Sequence, residues 1–296
     1  MVNTKYTITE AFFDYDAKVK TCSNGRTVFT KYKRKISRKK DGFEKPLTDE
    51  KIPDLSEKKK KSDRVNGEIR ADSLSRSRTM LIDYACEYES EWKSFITLTF
   101  SENMKDLTKA NSIFNDWCRQ VQRVFPDFVY LGVPELQKRG AWHYHILSNL
   151  PPDSDVIPKR PIKKLWNPEK KEYKIIEFYD LKYWKYGYST AFDLSLTDDK
   201  FNCALYVTKY LYKDISDRLF GRRKILHSSG MRKPHVYYLN QNSSVYLEAW
   251  DYIKEKGYSV VDYEPLIHNP YQIPCVVSTA HVDHSDYSTV QNILEK

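Results

Sequence analysis

His143 and His145 stand one residue apart inside the apolar run "GAWHYHIL" (140–147). A β-strand sends alternate side chains to opposite faces, so both imidazoles would share one face, about 7 Å apart. Trp142, Tyr144 and Ile146 would share the other, the core side. Paired neutral imidazoles suit a metal ion. A carboxylate stands close in sequence: Glu135 lies on the apolar segment "FVYLGVPEL", joined to the histidine segment by the short "QKRG". If the two segments pair as a hairpin, Glu135 reaches the histidine face. Two imidazoles and a carboxylate leave positions on a divalent ion for water or a phosphate oxygen. Mg²⁺ or Mn²⁺ fits this mixed set, and Zn²⁺ is also compatible with the ligand types.

A second group of reactive side chains lies in "YVTKYLYK" (206–213), where Tyr206/Lys209 and Tyr210/Lys213 form two overlapping Tyr-x-x-Lys units. On a helix these spacings place all four on one face. The two lysines make a purely structural stripe costly, because an unpaired ammonium resists burial. A tyrosine hydroxyl is a poor nucleophile until its charge is stabilised, and a neighbouring ammonium does that. Lys138 and Arg139, just before the histidine strand, are expected to contact phosphate or to form a solvated turn.

The elements that must position these groups follow from hydrophobic period and turn chemistry. "FITLTF" (95–100) is β-branched and aromatic, hence a buried strand beneath the site. "DLTKANSIFNDWCRQVQRVF" (106–125) carries an apolar stripe through Leu107, Ile113, Phe114, Trp117, Val121 and Val124, and Pro126 ends the helix. "SLSRSRTMLIDYACEYESEW" before it, "FNCALYVTKYLYKDI" (201–215) and "SSVYLEAWDYIKEKG" also read as helices. Residues 14–33 resemble a hairpin turning at Asn24–Gly25. The stretch "AHVDHSD" near the end reads as a polar tail. The order of elements predicts an α+β fold, an antiparallel sheet covered by helices. Three parts are expected: a basic region with a possible hairpin and mobile linker over 1–75, a central domain over 76–240, and a C-terminal extension with its polar tail over 241–296.

The chain carries a formal charge of +9 across 296 residues. Much of the surplus falls in 31–64, which holds fourteen Lys or Arg against seven Asp or Glu. That segment is either a solvated linker or an arm adding salt-sensitive, sequence-independent DNA affinity. No run of some 18 apolar residues exists, so no membrane span is expected, and the N-terminus has no signal-peptide pattern. Five scattered cysteines without a CxxC argue against a zinc ribbon or a disulfide framework and fit a reducing cytoplasm.

Taken together, "FITLTF", "ELQKRGAWHYH" and "YVTKYLYK", in that order, resemble the three motifs of rolling-circle replication initiators (Rep) of the His-hydrophobe-His, or HUH, endonuclease superfamily, in the two-tyrosine form. "SSGMRKP" (228–234) is similar to the family's usual ending, and the likeness spans roughly 76–240. Conjugative relaxases place the tyrosine before the histidines, and two-tyrosine transposases usually bring a cysteine zinc module that this chain lacks. The resemblance implies that His143, His145 and Glu135 hold a divalent ion. It implies that Tyr206 or Tyr210 attacks the scissile phosphate of single-stranded origin DNA, leaving a 5′-phosphotyrosine, with Lys209 balancing charge. It also implies a bacterial host cell, with the gene carried by a phage, plasmid or integrated element. Synthesis would come from a host polymerase. No GxxxxGK[ST] occurs, so unwinding is expected from a host helicase. A transposase or mobilisation nickase, a non-haem iron oxygenase with the same ligand types, and a non-catalytic DNA-binding regulator remain as alternatives.

Overall fold

The computed structural model describes residues 12–39, 71–158, 163–167, 172–176, 179–196, 223–264 and 274–296. It is an α+β fold with two five-stranded antiparallel sheets, each packed against helices. Two compact units divide the chain. One falls within Met1–Asn66 and Pro234–Lys296, the other within Gly67–Lys233.

The second unit carries the histidines. Its elements are helix α1 (Ala71–Glu87), strand β3 (Ser94–Thr99), helix α2 (Leu107–Val124), β4 (Tyr130–Leu136) and β5 (Trp142–Ser148). A small hairpin, β6 (Lys163–Asn167) with β7 (Glu172–Ile176), then β8 (Ser189–Asp193) and the two-residue β9 (Leu226–His227) complete it. The sheet order β8-β3-β5-β4-β9 places β5 at the centre, where every one of its residues is buried. A strand flanked on both sides and covered on both faces must be apolar or internally satisfied, and "WHYHILS" is both. On one face, Tyr144 stacks on Phe114 of α2 with ring centroids 4.8 Å apart, and its hydroxyl donates to Asn111 Oδ1 at 2.8 Å. Helix α2 starts where expected, because Asp106 caps it by accepting from the backbone N–H groups of Thr108 and Lys109. On the other side, Tyr84 of α1 packs on the ring of His227 at 5.0 Å.

The first unit has the sheet order β10-β1-β2-β12-β11. Strands β1 (Phe12–Thr21) and β2 (Arg26–Lys39) come from one end of the chain. β10 (His235–Leu239), β11 (Val260–Tyr263) and β12 (Cys275–His281), with helices α3 (Ser244–Glu255) and α4 (His284–Leu294), come from the other. The Asn24–Gly25 hairpin forms, with Gly25 at φ 86°. A Cβ on Gly25 would sit 1.8 Å from the Val282 carbonyl oxygen, so only glycine fits there.

One expectation is corrected here. Residues read as a polar tail are a strand and a helix: β12 pairs with both β2 and β11, and α4 buries Val290, Ile293 and Leu294. A one-sided helix needs only a narrow apolar stripe, and its polar residues find partners of their own. Asp286 accepts from the hydroxyls of Tyr252 at 3.0 Å and Tyr258 at 2.8 Å.

Candidate metal and nucleic-acid site

The hairpin needed to bring Glu135 to the histidines is present. β4 and β5 pair antiparallel with Glu135 opposite His143 and Val133 opposite His145, and β3 pairs on the other flank with Thr99 opposite His143 and Thr97 opposite His145. Two-residue periodicity then places Thr97, Thr99, His143, His145 and Glu135 on one face of the sheet. Trp142, Tyr144 and Ile146 occupy the opposite, core face, as the alternation predicted.

Within this cluster the Glu135 carboxylate accepts from His145 Nε2 at 2.8 Å, and both side chains are largely buried. Phe95 stacks on the His145 ring at 6.0 Å and 15°. His143 is 6% exposed, and its Nε2 has no hydrogen-bond partner. Burial first, and the neighbouring His145 second, pull its pKa down to about 4, against the opposing pull of Glu135. His143 is therefore neutral at pH 7, with a lone pair available to a cation.

Among the described residues no three His, Cys, Asp or Glu side chains already converge as a metal's ligands, because Glu135 is turned onto His145. The donor set nevertheless fits a divalent ion. An orphaned, buried, neutral imidazole nitrogen stands beside a carboxylate–imidazole pair, in a pocket where an unsatisfied nitrogen carries a cost. A cation would take the Nε2 atoms and the carboxylate as ligands in place of the hydrogen bond that now joins two of them.

Thr97 and Thr99 belong to the site, although "FITLTF" reads as core. Thr97 Oγ1 lies 3.3 Å from His145 Nδ1, and Thr99 Oγ1 lies 3.5 Å from His143 Nδ1. The signal was in the alternation: Ile96 and Leu98 are buried on the core face while the two threonines fall on the other. Lys138 is exposed at the β4–β5 turn. Arg139 is exposed too, but its guanidinium donates to the Phe100 carbonyl at 2.9 Å and to Gln137 Oε1 at 2.8 Å, bracing the turn against the end of β3. His227 is occupied structurally, with Nδ1 2.8 Å from the Ser228 carbonyl oxygen. Tyr206, Lys209, Tyr210 and Lys213, and the helix expected over 201–215, lie outside the described residues.

Residues 93–215 match the model of a family described as replication-associated protein ORF2. The match covers less than half of the chain, takes in β3, β4 and β5 with Glu135, His143 and His145, and supports a role in DNA replication. No curated protein matches the chain, and no solved structure does.

Proposed function

We propose that the chain is a rolling-circle replication initiator, an HUH endonuclease of the two-tyrosine type that nicks and rejoins single-stranded origin DNA. The observation that carries this reading is the juxtaposition of Glu135, His143 and His145 on adjacent strands, inside the segment that matches a replication-associated family. The family description favours an initiator over a transposase or mobilisation nickase, which would perform the same chemistry on other DNA.

In this reading Glu135, His143 and His145 hold a Mg²⁺ or Mn²⁺ ion. When bound, the ion supplies Lewis-acid polarisation of the scissile phosphate. The Tyr206 hydroxyl attacks phosphorus in line. Its Oη–P bond forms as the P–O3′ bond breaks, the tyrosine gives up its proton, and the departing O3′ takes one. The product is a 5′-phosphotyrosine and a free 3′-hydroxyl that primes a host polymerase. The phosphotyrosine conserves the ester bond, so a 3′-hydroxyl rejoins the strand by the reverse displacement without a nucleotide cofactor. Tyr210 permits a second cleavage while the first bond persists. Lys209 offsets the developing charge, and Lys138, Arg139 and Lys213 hold flanking phosphates. Strand separation falls to a host helicase.

The test is to incubate the protein with end-labelled single-stranded origin oligonucleotides and Mn²⁺ and run a denaturing gel. A covalent protein–DNA band is expected, retained by Tyr206→Phe or Tyr210→Phe alone and lost in the double variant. Tight DNA binding with no covalent band under any metal would sink the nickase and leave a DNA-binding regulator.

A further inference from the structure

We propose that Thr97 and Thr99 are positioning residues whose hydroxyls lie behind the two imidazoles and decide which nitrogen of each ring is bare. This rests on the cation-holding role assigned to the histidines above. The register sets each threonine directly across from its histidine, Thr97 from His145 and Thr99 from His143. The hydroxyls approach Nδ1 at 3.3 and 3.5 Å. Each ring therefore turns Nδ1 to a hydroxyl, and Nε2 is the nitrogen left for the site. His145 Nε2 meets Glu135 at 2.8 Å, and the His143 Nε2 is buried without a partner.

A hydroxyl is the chemically apt neighbour because it both donates and accepts, whereas a carbonyl accepts only and an ammonium donates only. His145 needs both behaviours. While its Nε2–H donates to Glu135, its Nδ1 carries the lone pair, and the Thr97 O–H donates to it. Once Nε2 lends its lone pair to a cation, the ring proton sits on Nδ1, and Thr97 must accept. Rotation of one C–O bond serves both tautomers and leaves no buried polar atom unsatisfied in either. Thr99 holds His143 in the second arrangement from the outset: Nδ1–H donates to the hydroxyl, and Nε2 stays bare. Two β-branched residues on β3 thus combine strand propensity with a reversible partner, which valine, of nearly the same shape, cannot supply.

The test uses the full chain labelled with ¹⁵N-histidine, stripped with chelator and then titrated with Mg²⁺. Two-bond ¹H–¹⁵N spectra read which ring nitrogen is protonated. His145 is expected to pass from Nε2–H to Nδ1–H as Mg²⁺ is added, and His143 to be Nδ1–H throughout. Electron paramagnetic resonance of Mn²⁺ gives affinity independently of nicking. Thr97→Val and Thr99→Val should each weaken Mn²⁺ by roughly 10–100-fold, the usual consequence of removing an outer-layer partner of a ligand. Thr97→Ser and Thr99→Ser should restore binding. Folded valine variants with unchanged tautomers and Mn²⁺ affinity would overturn the proposal. So would a His145 ring protonated on Nδ1, or on both nitrogens, before metal is added, a result that needs no variant to fold. Wild-type protein that takes up neither ion would count against the metal role of Glu135, His143 and His145. The metal-free tautomers would still decide the part played by the hydroxyls.

Discussion

At the scale of single residues, the feature with the largest consequence is a neutral histidine held in the middle of a sheet. His143 titrates near 4 in the folded protein against 6.5 for the free side chain. Between these values the unfolded chain binds the proton that the folded chain refuses, so stability rises with pH across that window and falls as the pH drops toward 4. The full effect is on the order of 3 kcal/mol. Urea unfolding in chelator at pH 7 and pH 4 is expected to show this loss, and His143→Asn, which cannot titrate, to show less of it. A second residue-scale expectation concerns the other face of the same strand. Tyr144→Phe removes the hydroxyl that donates to Asn111 and should cost about 1 kcal/mol, read as a lowered urea midpoint with unchanged slope.

At the scale of elements, the sheet that carries the site is held from two directions. Helix α2 supplies a wall of aromatic rings, with Phe114 wholly buried against Tyr144, Trp117 and Tyr130. Phe114→Ala should destabilise this unit by about 3–5 kcal/mol in thermal or denaturant unfolding. The far end of β3 is pinned by the loop before β8. Thr99 N–H donates to the Tyr188 carbonyl at 2.8 Å, Ser101 N–H donates to that of Tyr186 at 2.9 Å, and Gly187 lies between. A Cβ on Gly187 would come within 2.2 Å of the Thr99 carbonyl oxygen. Gly187→Ala is therefore expected to push β3 away at the residue facing His143, weakening Mn²⁺ binding as well as lowering Tm. A change in Tm with Mn²⁺ affinity intact would show that the end of β3 does not control the histidines.

At the scale of the whole molecule, strands from opposite ends of the chain build one sheet, in which β12 lies between β2 and β11. Removing residues 274–296 takes out that inner strand and helix α4 together. Amide exchange should then show protection lost across β1, β2 and β11, because the paired backbone and the core around Phe29 and Tyr246 go with it. The positive charge acts at this scale too. If the lysine run at 58–61 neutralises DNA phosphates, replacing those four lysines with glutamine should flatten the dependence of log affinity on log salt. The expected change is about 0.7 for each phosphate no longer neutralised, measured by fluorescence anisotropy on single-stranded DNA.

What the sequence determined by itself is whatever local period and local chemistry control. The alternation in "WHYHILS" assigned the histidines and their aromatic neighbours to opposite faces, the short "QKRG" made β4 and β5 antiparallel partners, and Asp106 and Asn24–Gly25 marked a helix start and a hairpin. Each depends on interactions within a few residues. Only the tertiary structure decided the rest. That β5 is the central strand, that Thr97 and Thr99 stand behind the imidazoles, and that Glu135 rests on His145 all follow from register between strands about fifty or ten residues apart. The C-terminal strand and helix were hidden for the same reason. Their few apolar residues acquire meaning only once β2, a chain's length away, lies beside them.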